Sequence, residues 1–325
     1  MKTPTVVDRL EVLVLVDNVT DNLSSNPVGV TTEWTFLRSS GRMQLMCGKA
    51  FCCAHHGLSL LLTANVRSVR HSILFDAGPE AAGFLRNVEV LGADLSAVEA
   101  VVLSHGHWDH AGGLLAAIQA ITSGRQNKVE CFMHPDMFAQ RGVRLADGTV
   151  GEFEPVPGVD ALNEAGAAVH VTRESALIAQ GAFFVSGEIP RVTPYETGMP
   201  GQVRKSESEG NWMPDELLRD ERFVAVNVKG KGLVILTACS HAGVINVLRH
   251  AKEIFPEVPL YGVMGGLHLS GATEKIIPQT VADLGSLNLK LIAAGHCTGW
   301  RAINALATAL GDALVPSAVG KRYVI

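Results

Sequence analysis

Ser104-His105-Gly106-His107-Trp108-Asp109-His110 is the stretch on which the reading of this chain turns. Three imidazoles and one carboxylate fall within the six residues from His105 to His110. Upstream, Val98 to Leu103 has the composition of a buried strand. Downstream, Ala111 to Thr122 reads as a helix. The ligand-type side chains therefore sit on a strand-to-helix turn at the end of a sheet. Imidazole and carboxylate are the donors that borderline divalent ions such as zinc prefer. In an extended turn His105 and His107 point the same way, and Asp109 and His110 then turn toward a second point nearby. A polar loop with hydrogen-bonded histidines would account for one imidazole. It does not account for four donors on one short turn, so the turn is read as metal-binding.

Further donors must come from elsewhere in the chain. Two strand ends followed by helices stand out, Thr237-Ala238-Cys239-Ser240-His241-Ala242-Gly243 and Ala294-Gly295-His296-Cys297-Thr298-Gly299. Sites in α/β layouts form beyond the carboxyl ends of strands, so His241 and His296 are expected as ligands. Asp76, in Phe75-Asp76-Ala77-Gly78, ends another strand. It suits a turn, and it also suits holding a ligand imidazole by a hydrogen bond. Cys239 lies two residues before His241, on the same face of an extended segment. A thiolate there would bind a soft ion or bridge two, although a small buried residue is the plainer reading. His56, His134 and His268 also stand at strand boundaries and are read as pocket-lining residues that touch substrate, against an equally weighted ordinary role. His71, His170 and His250 read as surface or strand histidines.

The bulk of the chain is that of a globular protein acting on something small. It has 325 residues, 47% of them hydrophobic, and a net charge of -5, with a mean hydropathy of +0.22 and a pI near 6.2. Such a chain buries a substantial core. It offers no basic footprint for nucleic acid or a membrane surface, so a small-molecule substrate is expected. No apolar run reaches the roughly 18 residues of a transmembrane helix. Leu10 to Val16, interrupted by Glu11, reads as a first strand rather than a signal sequence. The six cysteines form no Cys-x-x-Cys pair and are expected to be reduced, buried thiols in a cytoplasmic protein.

Strands are expected at Leu10–Val16, Gly57–Ala64, His71–Phe75, Val98–Leu103, Val129–Met133, Ala167–Val171 and Ala182–Val185, with a helix over Pro79–Leu91. Residues 18–50 read as irregular. The second half restarts with strands at Phe223–Val228 and Gly232–Thr237, a helix over Ala242–Phe255 and a strand at Pro259–Met264. A helix over Thr273–Leu284, a strand at Leu289–Ala294, a helix over Trp300–Leu310 and a closing strand at Val319–Ile325 follow. Strands first in pairs and then alternating with helices imply two mixed sheets with helices outside. Residues 186–220 carry Pro190, Pro194, Pro200 and Pro214 with several glycines and mixed charge. They are read as a long loop over the site within one domain spanning 1–325. The loop suits a lid or a dimer interface, which leaves a homo-oligomer open.

His105-x-His107-x-Asp109-His110, with Asp76 upstream and His241 and His296 later, resembles the metallo-β-lactamase superfamily across nearly the whole chain. The resemblance implies an α/β (α+β) fold, a four-layer αββα sandwich. More narrowly, Val16-Asp17-Asn18, His56-Gly57-Leu58-Ser59, Ser186-Gly187-Glu188-Ile189-Pro190-Arg191, Cys239-Ser240-His241-Ala242-Gly243, Gly265-Gly266-Leu267-His268-Leu269 and His296-Cys297-Thr298-Gly299 are similar to one subfamily. Its members commonly carry the label 7,8-dihydropterin-6-methyl-4-(β-D-ribofuranosyl)aminobenzene-5'-phosphate synthase. By resemblance, His105, His107 and His241 hold one divalent ion, and Asp109, His110 and His296 a second. Zinc comes first, with iron, manganese or magnesium as alternatives. The superfamily often has a bridging Asp where this chain reads Cys239-Ser240-His241. One well-held ion and one labile ion is therefore an open arrangement.

Two reactions follow from the resemblance. In the synthase reading, the ions bind a pyrophosphate leaving group on a pterin while an arylamine attacks the pterin methylene, and Arg191, Arg204 and Lys205 are available to assist with phosphate, although a solvated loop is the plainer reading of each. In the alternative, a metal-hydroxide hydrolase acts on an ester, thioester, lactone or phosphodiester, with Asp109 relaying a proton. A non-catalytic metal-holding regulatory protein is the third reading. It has less support, because a binding module needs no open metal position.

Overall fold

A computed structural model describes residues 3–206, 208 and 210–325. Its frame is two sheets laid face to face. The first runs, in spatial order, Ala167–Val171, Val129–Met133, Val98–Val102, Val69–Phe75, Ser59–Val66, Arg9–Val16, Arg322–Val324 and Val30–Thr31. The second runs Ala176–Ile178, Phe183–Val185, Val224–Val228, Gly232–Leu236, Leu260–Gly266 and Leu291–Gly295, with Val6–Val7 also pairing to Val224–Val228.

Period-two alternation sorts these strands into layers. Leu60, Leu62, Ile73, Phe75 and Val102 of the first sheet meet Val185, Val224, Val226, Val234 and Leu236 of the second in one buried cluster. Leu61, Leu74 and Val101 point the other way, onto Phe84 and Leu91 of helix Ala81–Leu91 and Leu114 and Ile118 of helix Leu114–Thr122. On the far side Ala225, Leu233, Ile235 and Val263 pack on Val247, Leu248, Leu284 and Leu306 of helices Val244–Ile254, Ile277–Ser286 and Trp300–Leu310. Helix, sheet, sheet and helix layers make the expected αββα sandwich.

Three expectations need correction. Residues 18–50 hold a helix, Glu33–Ser39, capped by Thr32, whose Oγ1 accepts from the Thr35 N–H at 3.2 Å. The helix expected over Ala111–Thr122 is broken into Trp108–Ala111 and Leu114–Thr122 by Gly112-Gly113. The expected long loop at 186–220 contains strands Gln202–Lys205 and Trp212–Pro214, which join Arg141–Arg144 and Val150–Glu152 in a third, four-stranded sheet. These strands have three or four residues, and Val203 pairs with distant Gly142 on one side as well as with Pro214 on the other. Segments so short carry no readable period of their own.

Gly112 and Gly113 have a packing reason. A Cβ on Gly112 would stand 1.8 Å from the Pro79 carbonyl oxygen, and one on Gly113 would stand 2.2 Å from that of Ala77. The glycines let the chain after the histidine turn press against the Ala77–Pro79 loop. That closeness brings Asp76 against the turn.

Candidate metal centre

Strand Val69–Phe75 ends at Asp76, in the left-handed region at φ 61°. Its carboxylate is fully buried and divided between two tasks. Oδ1 accepts the Ser104 backbone N–H at 2.7 Å, and Oδ2 accepts the Ser104 hydroxyl and meets His110 Nδ1, each at 2.7 Å. With Nδ1 taken, His110 turns Nε2 toward Cys239 Sγ at 3.2 Å and Asp109 Oδ2 at 3.6 Å. Ser104 Oγ also lies 2.9 Å from His105 Nδ1, so His105 presents Nε2, 3.1 Å from His107 Nδ1. Asp76 thus holds a cluster imidazole by a hydrogen bond.

The other two strand ends converge on the same turn. The His241 ring centroid lies 4.8 Å from that of His105 and 4.9 Å from that of His107. The His296 ring lies 5.0 Å from that of His110. Asn18 Oδ1 meets His296 Nδ1 at 2.9 Å, which leaves Nε2 facing Asp109 Oδ2 at 3.4 Å. Positive φ values at Ser240 (58°) and His296 (47°) bend both segments inward.

His107 Nε2 and both ring nitrogens of His241 are buried with no hydrogen-bond partner among the described residues. An unpaired buried polar atom costs about 1–3 kcal/mol, so these atoms point to a partner of another kind. Burial, with further repulsion from neighbouring imidazoles, pushes His105 and His241 well below the usual imidazole range. Burial lowers His107 to about 3 despite the Asp109 carboxylate beside it. Neutral imidazole is the form that coordinates metal. Burial opposes charge on Asp109, but His110 and His296 outweigh it and hold the carboxyl below its ordinary value. Burial likewise opposes charge on His110, where Asp109 and Asp76 prevail and hold the pKa at about 9. Donor chemistry and unpaired nitrogens both fit a divalent cation.

Two groups of donor atoms lie mutually within 4.8 Å, namely His105, Cys239 and His241, and His110, Cys239 and His296. A third group, Cys239, His268 and Cys297, adjoins them. The cluster opens on a cavity of about 370 Å³ whose wall includes His56, Trp108, Phe153, Met199, His268 and Cys297. His56 reaches Asp109 Oδ2 at 3.5 Å and stacks on Trp108. The His268 ring lies 4.4 Å from that of His241.

Other residues singled out in the sequence lie elsewhere. His134 accepts the Asp136 N–H through Nδ1 and stands 3.3 Å from Glu188, away from the cluster. Arg191 is committed to the carbonyl oxygens of Ile189, Leu217 and Leu218 and pins its own segment. Arg204 lies near Asp136, and Lys205 lies over Trp212. None of these four lines the cavity. All six cysteines are free, but Cys47 and Cys53 are exposed rather than buried.

The sequence reading missed a clamp. Asp220 Oδ2 accepts the Gly106 N–H at 2.8 Å, and the carboxylate is gripped by Arg141 at 2.7 and 2.8 Å. Glu221 accepts the N–H groups of His241 and Ala242 at 2.7 and 2.6 Å. The Arg222 N–H donates to the Ser104 carbonyl at 2.8 Å. Three consecutive residues therefore tie two donor-bearing turns together. An acidic pair before a strand gives no local signal of this.

Residues 71–165 match the β-lactamase superfamily domain, and the chain has the fold of the metallo-β-lactamase fold proteins. It is 28% identical over 256 residues to the 7,8-dihydropterin-6-methyl-4-(β-D-ribofuranosyl)-aminobenzene-5'-phosphate synthase of Methanocaldococcus jannaschii, covering 77% of this chain and 83% of that one. An uncharacterized protein of the same organism is 29% identical over 254 residues, covering 78% and 88%. Among solved structures, Tm1679, a metal-dependent hydrolase of the β-lactamase superfamily, superposes with a TM-score of 0.70 at 22% identity, covering 96% of this chain and 98% of its own. The metallo-β-lactamase fold protein YhfI of Bacillus subtilis gives 0.51 at 11% identity, covering 98% and 100%. No described helix is long and apolar enough to cross a membrane.

Proposed function

We propose that this chain is a metal-dependent enzyme acting on a small phosphorylated or pterin-like substrate. The observation that carries the reading is the group of buried, unpaired imidazole nitrogens beside an open cavity. In this reading His105, His107 and His241 hold one divalent ion, and Asp109, His110 and His296 hold a second. Zinc is the first expectation, because the donors are mainly imidazole. Bound ions supply positive charge that polarises a substrate oxygen or activates water.

The chain's own residues do the rest. Asp109, kept ionised by its histidine neighbours, accepts and passes on a proton at Oδ2. His56 and His268 orient the substrate from the cavity wall, and Asp76 fixes the His110 ring. Similarity to the synthase supports a condensation joining a dihydropterin to a ribofuranosylaminobenzene phosphate.

One observation favours a second reading, hydrolysis of an ester, thioester, lactone or phosphodiester. No Lys or Arg is among the described residues lining the cavity. A phosphorylated substrate would depend for its charge partner on the ions alone, whereas a neutral ester needs none. The deciding experiment incubates the zinc-loaded protein with the dihydropterin diphosphate and arylamine pair, and separately with a panel of esters, thioesters, lactones and phosphodiesters. Condensation product with an inert panel supports the synthase reading, and turnover of a panel member at enzyme-like rates replaces it with the hydrolase reading.

A further inference from the structure

We propose that the third sheet carries the specificity element of this site: Phe153 and Met199, placed by its strands, complete with Trp108 an apolar slot that takes a flat, uncharged ring of the substrate beside the ion positions. The inference rests on the reading of this cavity as the substrate site, and it names what selects the substrate there.

Three apolar side chains outside the cores carry the argument. Phe153, Met199 and Trp108 are half-buried and line the cavity. None of them belongs to the three hydrophobic clusters that hold the layers together. Phe153 stands edge-on to the ring of His107, with centroids 5.4 Å apart and planes at 85°. Trp108 follows His107 directly and stacks with His56 at 5.7 Å and 24°, so this wall presents aromatic faces. Met199 lies between Gly198 and Pro200, which line the adjoining hollow with His241 and His268. Apolar surface therefore borders the donor cluster both at His107 and at His241.

The third sheet fixes that border. Phe153 directly follows the strand Val150–Glu152. Its N–H donates to the Arg141 carbonyl at 2.8 Å, and its own carbonyl accepts from Gln140 Nε2 at 2.8 Å. Arg141 is bound in turn to Asp220, which accepts the Gly106 N–H, so Phe153 is tied to the donor turn itself. Met199 stands just before the strand Gln202–Lys205, and its N–H donates to the Glu216 carbonyl at 2.8 Å. Gly198 allows that approach, because its φ is 100° and a Cβ there would stand 2.1 Å from the Glu216 oxygen. Side chains held in place beforehand lose little freedom when a ligand arrives. Aromatic faces and a thioether both pack favourably on flat rings. No Lys or Arg is among the described residues lining the cavity, which leaves an anionic ring substituent without a side-chain partner there.

Equilibrium dialysis of the zinc-loaded protein tests this, with pterin as a flat neutral probe and γ-nonalactone as a neutral probe without a flat ring. The wild type should bind pterin more tightly than the lactone. Phe153→Ala and Met199→Ala should each weaken pterin about tenfold at unchanged zinc content, the scale of a lost aromatic contact. Phe153→Leu stays apolar and bulky, so it should weaken pterin and leave the lactone unchanged. Phe153→Tyr should bind pterin as the wild type does. That pair of results separates recognition of a ring from failure to fold. Pterin affinity unchanged in both alanine variants would overturn the slot, and a lactone bound as tightly as pterin would overturn its preference for a flat ring. Zinc-free protein should still bind pterin through Phe153. A chain that takes up no zinc yet shows this pattern would sink the metal-centre reading and leave the slot standing.

Discussion

Asp220, 114 residues along the chain from Gly106, accepts the Gly106 N–H at 2.8 Å in the middle of the histidine turn. The same carboxylate neutralises Arg141, which is itself buried and also bonded to Asp215 at 2.9 Å. Burial works against the Asp220 charge, but Arg141 outweighs it and holds the carboxyl below its ordinary value. A depressed carboxyl stabilises the fold above the unfolded value of about 3.9 and loses that contribution as pH falls through the folded value. Asp220→Asn should therefore destabilise the protein near neutrality by about 3–5 kcal/mol, the scale for leaving a buried charge unpaired. It should also flatten the acid side of the stability profile. Urea unfolding across pH checks both, and an unchanged acid limb would refute the account.

Asp76 has a narrower job, because its Oδ2 sets the His110 ring through Nδ1 at 2.7 Å. Asn suits the positive φ at this position but replaces one oxygen with an amide. Asp76→Asn should keep the fold and weaken metal binding about 10–100-fold, as loss of such supporting bonds does. Chelator competition measures the affinity, and circular dichroism monitors the fold.

His107 presents a buried nitrogen, Nε2, with no partner among the described residues. His107→Ala should lower bound zinc and abolish turnover without the penalty of breaking a hydrogen bond at that atom. Elemental analysis and an assay on the same preparation test this. Full metal content with full activity would contradict the site assignment.

Gly112 lies where a Cβ would meet the Pro79 carbonyl oxygen at 1.8 Å. Gly112→Ala must push the helix start away from that loop. Overpacking of this kind costs about 1–3 kcal/mol. Because the displaced loop directly follows Asp76, metal content should fall along with the thermal midpoint. A lower midpoint with unchanged metal content would show that the two are uncoupled.

The thiols should separate by environment. Burial raises Cys131 to about 12 and also raises Cys52, while Cys47 and Cys53 are exposed. Brief alkylation of the folded protein at mildly alkaline pH should label Cys47 and Cys53 and spare Cys52 and Cys131. Denaturant should expose all of them. Peptide mass spectrometry reads the pattern, and early labelling of Cys131 would count against the packing described.

Much of this molecule is legible locally. Leu60, Leu61 and Leu62 alternate between two apolar environments, and alternation is a property of neighbouring residues in one strand. The donors from His105 to His110 are also neighbours, so the turn announces itself. The reading failed where a segment was too short to show a period. The third sheet is built from such pieces, and its registry is set by pairings such as Val203 with Gly142.

The sequence by itself pointed to two mixed sheets with helices outside and to the location of the donor turn, because both follow from residues a few positions apart. Only the tertiary structure decided that Cys239 meets His110, 129 residues away, and that Asp220 and Glu221 hold two turns at once. It also decided that Arg191 is occupied by backbone carbonyls and His134 by Asp136 and Glu188, away from the cavity. Those outcomes depend on how distant strand ends converge after the sheets stack. That convergence is set by packing and by competition for buried hydrogen bonds, neither of which leaves a local pattern in the chain.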